Sequence, residues 1–406
     1  MIRWINNYIG TAPWKFAKET TDGEILDVRD LVDGVGNSNE LVAEKIKSGV
    51  EIIQKRKKLI VCCEYGMSRS NAIAVGIICR IEKITFEQSL KLVISSTKEE
   101  QIKLSVLKTI KKIIDQDKRV GEEKRKKILI IDPEDYIGKS LAGLLSFDRF
   151  SLFNSKSDFH ELMSNPAQLY LVVLEQRIGK IVFVSSGDVV NTNQFIGNLL
   201  FIIKNILDVS LEAQCDLIFI STIDVFLGYK KKNLTVKSTT SKKPFGNKGI
   251  AYSFAEDLIG YYKNNYKLNV AVLRIPVVYG EHDTKPYFIA NFIRKAQLGM
   301  EIKIHRYINN LAWVNLIHVK DLAKFILEII KKKRFGIYNI DGGEGLNTHE
   351  ISKKIIKFYS SNSKLSFVEL ENNIVRIKVA GTDISEKLDW KPQENFYNTI
   401  KNQIHE

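Results

Sequence analysis

Lys58-Leu59-Ile60-Val61-Cys62-Cys63-Glu64-Tyr65-Gly66-Met67-Ser68-Arg69-Ser70 is the stretch that organises the first third of the chain. Lys58–Cys62 reads as a short buried strand, the next residues turn tightly around Gly66, and Ser70–Ile81 reads as a helix with small and apolar faces. That order puts Cys63 at the end of a strand and Arg69 at the start of a helix. Backbone N–H groups of Glu64, Tyr65, Gly66, Met67, Ser68 and Arg69 can then converge on a phosphate dianion at a helix N-terminus. The planar fork of Arg69 suits two phosphoryl oxygens. The same positive surroundings favour a Cys63 thiolate for in-line attack on phosphorus, and the Ser70 hydroxyl is placed to stabilise that thiolate as it leaves.

These residues resemble the Cys-x5-Arg-Ser loop of the dual-specificity branch of cysteine phosphatases, and the resemblance covers residues 1–115. It implies a small α/β domain that hydrolyses a phosphorylated protein or a small phosphoester, with Cys63, Arg69 and Ser70 in the reaction and no cofactor. The family uses an upstream Asp as general acid. Asp27–Asn37 (DVRDLVDGVGN) occupies that place, with Asp33 the first choice and Asp30 the alternative. The family's usual His before the nucleophile is replaced by Cys62, so activation of Cys63 falls to the loop amides, the helix N-terminus and Arg69.

Helical patterns follow at Thr85–Ile94 and Gln101–Ile114. Residues 111–127 then carry eight Lys or Arg against four acids, with Gly121 in the middle, and 116–126 is read as a linker. From Lys127 onward strands and helices alternate. Strands are expected at Ile128–Ile131, Leu169–Leu174, Lys180–Ser185, Asp216–Ser221, Asn269–Arg274 and Gly336–Ile340, and helices at Ile137–Leu145, Gln194–Val209 and Tyr252–Tyr262. The alternation predicts a doubly wound parallel sheet of Rossmann-like type over 127–406, with a small C-terminal substrate lobe.

This second part resembles the extended short-chain dehydrogenase/reductases, the group of NAD-dependent nucleotide-sugar epimerases and dehydratases. The resemblance is carried by Lys127–Ile131 with Tyr136–Leu141, by Phe219–Thr222, by Arg274–Gly280, by Ile317–Ala323 and by Leu388–Pro392. It implies NAD(P), with Ile137 and Gly138 at the cofactor, Thr222, Tyr252 and Lys248 as catalytic candidates, a nucleotide-sugar substrate and a homodimer. Departures are visible. The family's Gly-x-x-Gly-x-x-Gly positions read Asp132, Asp135 and Gly138, so two carboxylates stand where a pyrophosphate would approach. The Tyr-x-x-x-Lys pair is also disturbed. In one register Lys248 and Tyr252 are exchanged; in the other Tyr252 is kept and Glu256 replaces the Lys. Val314 and Asn315 stand near the family's diphosphate-gripping Arg, with His305 and Arg306 as substitutes, and Lys156 could meet a 2′-phosphate. The expectation is a retained fold with weakened or absent cofactor turnover, kept for binding or scaffolding; the alternatives are a working bifunctional enzyme and a non-catalytic regulator whose two domains bind phosphorylated ligands without turning them over.

Composition narrows the remaining classes. The net charge of +14 comes from Lys spread along the chain and interleaved with acids, which points to a solvated surface rather than to nucleic acid. The most apolar run, Asn198–Leu207, is short and interrupted by Lys204, so no membrane span is expected, and the N-terminus has no signal-peptide pattern. Cys62, Cys63, Cys79 and Cys215 show neither disulfide nor metal-ligand spacing. A reducing, cytoplasmic setting follows as the expectation. His160, His282, His349 and His405 lack ligand partners, and Trp313 and Trp390 read as core anchors.

Overall fold

The computed structural model describes residues 1–118, 127–132, 136–146, 149–153, 162–185, 193–280, 288–380, 388 and 390–396. The chain divides into two compact units. Unit 1 is Met1–Lys127 with Ser157–Gly179 and Phe201–Cys215; unit 2 is Ile128–Lys156, Lys180–Leu200 and Asp216–Glu406.

Unit 1 begins with β1 (Arg3–Trp4), β2 (Ile9–Pro13), α1 (Trp14–Ala17), β3 (Glu24–Asp27), α2 (Asn39–Gln54), β4 (Leu59–Cys63), α3 (Arg69–Glu82), α4 (Phe86–Thr97) and α5 (Leu104–Lys118). Its sheet runs β1-β2-β4-β3, with β2 and β3 both parallel to β4 and β1 antiparallel to β2. Every residue of β4 is buried, as expected of an apolar run with neighbours on both sides. Register fixes the site: Pro13 lies opposite Cys63 and Asp27 opposite Cys62. The three parallel strands therefore end together at one edge, and the loops that follow them share it. From Ser70 to Cys79, α3 is buried without interruption, which makes it the central helix of this unit. Ser38 caps α2, and Thr85 with Gln88 forms a capping box on α4.

The next elements are β5 (Lys127–Ile131), α6 (Ile137–Ala142), β6 (Phe150–Phe153), α7 (Pro166–Glu175), β7 (Ile178–Val184), α8 (Asn193–Ala213), β8 (Asp216–Thr222), β9 (Asn233–Val236), α9 (Gly246–Tyr266), β10 (Val270–Ile275) and β11 (Val277–Tyr279). After them come α10 (Phe288–Gln297), β12 (Ile302–Tyr307), β13 (Asn310–Leu311), β14 (Trp313–His318), α11 (Val319–Lys332), β15 (Gly336–Asn339), β16 (Glu344–Asn347), α12 (Thr348–Phe358), β17 (Leu365–Leu370) and β18 (Arg376–Val379). A six-stranded sheet runs β15-β10-β8-β7-β5-β6. Strand order reverses between β5 and β7, which opens a crevice at their C-terminal ends. One core packs Ile130, Val182, Ile218 and Leu273 from the sheet against Leu322, Phe325 and Ile326 of α11. A second, smaller core gathers Phe292, Ile304, Leu316 and Ile355 around β12, β14, α10 and α12. This is a Rossmann-like parallel α/β domain with a smaller lobe. Trp390 packs edge-on against Phe325, and Trp313 lies under the Arg376 guanidinium.

Two expectations need correction. Leu169–Leu174 is helical within α7, not a strand: Asn165 caps it, Pro166 occupies its first turn, and burial of nearly every residue removes the periodicity that separates the two forms. Helix α5 continues to Lys118, into the expected linker, and unit 1 also takes in Ser157–Gly179 and Phe201–Cys215 beyond residue 115. Helix α8 is long and apolar enough to cross a membrane by length and composition alone. Half of its most apolar window is buried inside the protein, where Asn205 Nδ2 donates to the Met163 carbonyl at 2.7 Å.

Candidate functional site

In unit 1, β4 delivers Cys63, and α3 starts at Arg69. Between them Gly66 adopts φ +67°, and a Cβ there would meet the Pro13 nitrogen at 2.3 Å. Only glycine lets the loop lie this close to β2. The loop's carbonyls are taken up from outside. Asn71 Nδ2 donates to Met67 O at 2.6 Å and to Gly66 O at 3.3 Å, Thr11 Oγ1 orients Asn71 at 2.7 Å, and Arg3 Nη2 also donates to Gly66 O. Lys103 N donates to Ser68 Oγ at 3.1 Å. Among the described residues no acceptor takes the N–H groups of Glu64, Tyr65, Gly66, Met67 or Ser68. Carbonyls held outward and amides left without a protein partner are what an anion cradle requires.

Cys63 is 2% exposed, and its Sγ lies in hydrogen-bond contact with Ser70 Oγ at 3.4 Å. Arg69 Nη1 donates to the carbonyls of Arg29 and Leu31, each at 2.9 Å, which ties the loop after β3 to the cradle. Its Nε is buried without a protein partner, so the Nε–Nη2 edge remains for a ligand. Thus Cys63, Arg69 and Ser70 come together around one loop.

The general-acid candidates differ. Asp30 is committed to Lys45 at 2.8 Å, whereas Asp33 is exposed in a loop closed by Asn37, which accepts from Val32 N at 2.8 Å and donates to Val32 O at 2.8 Å and Gly34 O at 3.3 Å. Cys62, in the place of the expected His, faces the small cluster of Ala12, Ala17 and Ile60. Burial, reinforced by the Asp27 carboxylate, pushes its thiol up to about 12, so Cys62 is a neutral packing residue beside the nucleophile candidate. At the rim, Arg29 stacks 3.9 Å over Trp14 and grips Asp27 through Nη2 at 2.8 Å.

In unit 2 a carboxylate of the chain itself caps the start of α6 at the end of β5. Asp132 is 1% exposed, and its Oδ2 accepts the Gly138 N–H at 2.7 Å. That amide, at the start of α6, is where a pyrophosphate oxygen would dock. Gly138 itself is tight against β5, with a Cβ meeting Asp132 Cβ at 2.8 Å, so its role is helix–strand packing. Asp135 and Lys156 lie outside the described residues, as do His160, His282 and His405.

Ser221 Oγ donates to Glu256 Oε1 at 2.6 Å, and Arg274 donates to both Glu256 oxygens, with Nη2–Oε2 at 2.7 Å. Glu256 is therefore a structural counter-ion for Arg274. Tyr252 OH lies 2.8 Å from Ser185 Oγ, Lys248 Nζ lies 2.8 Å from Asp224, and Thr222 Oγ1 accepts from Asp224 N at 3.2 Å. Tyr252 and Lys248 share one helix but are engaged with different partners, so these contacts do not form the usual Tyr–Lys relay. Asn315 pairs with Asp341 at 3.0 Å, and Arg306 with Glu369 at 3.0 Å. No cluster of His, Cys, Asp or Glu suited to a metal occurs among the described residues. The sequence reading missed Arg3, Thr11, Asn71 and Asn37. Asn71 adjoins the loop and could have been noticed; Arg3 carries no local signal.

The fold and the placement of Arg274, Glu256 and Gly138 define a Rossmann-like dinucleotide-type domain. Residues 166–341 match the family model "NAD dependent epimerase/dehydratase family". The dTDP-D-glucose 4,6-dehydratases of Homo sapiens and Bos taurus are each 27% identical over 204 residues, 48% of this chain. The chain spans 57% and 56% of those two proteins, about half of the length of the curated relatives it matches. Among solved structures, dTDP-glucose 4,6-dehydratase from Bacillus anthracis in complex with NAD aligns with TM-score 0.60 at 19% identity, covering 69% of this chain and 96% of that one. UDP-glucose 4-epimerase from Thermus thermophilus, also with NAD, aligns with TM-score 0.60 at 16% identity, covering 68% and 96%. These likenesses establish the fold. NAD stands in the description of the matched family and in the names of these two structures; in this chain the Gly138 amide is taken by Asp132.

Proposed function

We propose that the chain carries two sites of different chemistry: a phosphomonoester-hydrolysing loop in unit 1 and an epimerase/dehydratase-type pocket for a nucleotide sugar in unit 2. The family model begins at residue 166, so the loop at 63–70 lies outside it and its reading rests on geometry. The observation that carries it is Arg69, whose Nε is buried and, among the described residues, unpartnered beside loop amides that have no protein acceptor there.

In this reading the Cys63 thiolate attacks phosphorus, the S–P bond forms, and the ester oxygen leaves with a proton from Asp33. Water, deprotonated by the Asp33 carboxylate, then displaces the cysteine and releases phosphate, with Ser70 donating to the departing thiolate. Hydrolysis of a generic aryl phosphate by the reduced wild-type chain and by Cys63→Ser tests it. Turnover confined to the wild type supports the reading; no turnover from a folded wild type removes it.

For unit 2, the named dehydratase relatives and the family model favour a nucleotide-sugar ligand. A bifunctional enzyme is the second reading, favoured by Tyr252 and Lys248 at adjacent turns of α9. Titration of the full chain with NADH, NADPH and dTDP-glucose separates the cases. Cofactor binding revives the bifunctional enzyme, whereas sugar-nucleotide binding alone leaves a ligand-binding domain.

A further inference from the structure

We propose that Arg3 is a positioning residue of the phosphate loop, acting from outside it by polarising the Gly66–Met67 peptide. The inference rests on the phosphate-binding reading of residues 63–70 and adds an electrostatic component supplied from the other end of unit 1's sequence.

The Gly66 carbonyl receives Arg3 Nη2 and Asn71 Nδ2, the latter at 3.3 Å. Its direction is fixed, because Gly66 sits at φ +67° against the backbone of Ala12 and Pro13. A charged donor on a carbonyl oxygen draws electron density along the peptide unit, and the N–H at the other end becomes a stronger donor. That N–H belongs to Met67, and no protein acceptor takes it among the described residues. The Met67 amide thus has a cation behind it, one peptide bond away.

Arg3 is held in place by its other terminal nitrogen. Nη1 pairs with Glu99 at 2.9 Å, and the Glu99 side chain is only 7% exposed. The Thr97 carbonyl adds a contact at 3.5 Å. Glu99 therefore has two opposing effects: it orients the guanidinium, and its negative charge offsets the pull of Arg3 on the loop. A brace with no electrostatic role would show only the first. Gln keeps an amide oxygen for Arg3 Nη1 and so preserves most of the first effect; a pure brace then predicts unchanged or weaker binding in Glu99→Gln, whereas polarisation predicts tighter binding.

The test is calorimetric titration of the reduced full chain with inorganic phosphate, using wild type, Arg3→Gln, Arg3→Lys and Glu99→Gln, with a melting curve for each. Loss of a charged hydrogen bond in Arg3→Gln is expected to weaken phosphate by about tenfold, with Arg3→Lys recovering most of it. Removal of the offsetting charge in Glu99→Gln is expected to tighten phosphate by about threefold. Unchanged or weaker binding in Glu99→Gln, or unchanged binding in Arg3→Gln, overturns the proposal. If Arg3→Gln does not fold, the sign for Glu99→Gln decides alone. Failure of the folded wild type to bind phosphate removes the phosphate-loop reading itself, and this inference with it.

Discussion

Arg274 and Glu256 form a buried, doubly hydrogen-bonded ion pair, Nη2 to Oε2 at 2.7 Å and Nε to Oε1 at 3.0 Å, with their side chains only 3% and 2% exposed. The pair joins β10 to α9, and Ser221 adds β8 through Glu256 Oε1. A carboxylate so fully engaged cannot serve as the partner of Tyr252 in proton transfer. In the register that sets Glu256 at the Lys position, the relay's cation is replaced by a carboxylate held on Arg274.

Glu256→Gln should be strongly destabilising, because it leaves the Arg274 guanidinium buried without a counter-charge. Removing one partner of a buried pair costs about 3–5 kcal/mol. Thermal melting would show a large drop, and a Glu256→Leu/Arg274→Met double variant should melt above the single one. A single variant as stable as wild type would mean that water or another carboxylate replaces Glu256.

Asp132→Gly should increase affinity for a dinucleotide. The substitution frees the Gly138 amide and removes a buried carboxylate that competes with pyrophosphate for the start of α6. NADH fluorescence titration of the two proteins checks this, with saturable binding expected to be stronger in the variant. Tight NADH binding by the wild type would show that the cofactor docks without that amide.

The two sites were not equally legible in the sequence. Cys63, Gly66, Arg69 and Ser70 form a local loop whose spacing alone brings the groups together, and in the structure they lie around one turn between β4 and α3. The Rossmann-like alternation was legible for the same reason, since each strand and helix carries its own pattern. Leu169–Leu174 was not, because an apolar run buried on all sides fits strand and helix alike. Arg3 reaches Gly66 across 63 residues of sequence, and no local pattern encodes such a contact. Glu256 was visible but ambiguous until Arg274 was found on it.

Gly66→Ala should abolish phosphate binding while leaving most of the fold intact. At φ +67°, with the Pro13 nitrogen 2.3 Å from the new Cβ, the loop must move away from β2. A forced left-handed conformation costs about 1–3 kcal/mol, which a domain of this size can absorb. The cradle cannot absorb it, because its amides and the Arg69 edge must converge on one anion. Calorimetry with inorganic phosphate beside circular dichroism separates the two effects. Phosphate binding at wild-type strength would show that the loop reads its ligand through Arg69 alone.

Asp27 gives unit 1 a contribution to stability that acid removes. Burial works against its charge, but the hydrogen bonds from Arg29 and its positive charge outweigh burial and hold the carboxyl below the ordinary range. A depressed folded value means that the contribution is complete above the unfolded value of about 3.9 and is lost as pH falls through the folded one. The Asp27 side chain is 38% exposed, so the effect is modest and weakens with salt. Its consequence reaches the site. Arg29 is clamped between Asp27 and Trp14 while its carbonyl holds Arg69, so protonating Asp27 loosens the loop that carries Asp33. Urea unfolding of wild type and Asp27→Asn across the acid range should give two curves that differ near neutrality and converge below the folded value. Parallel curves would place the acid sensitivity of this unit on another carboxylate.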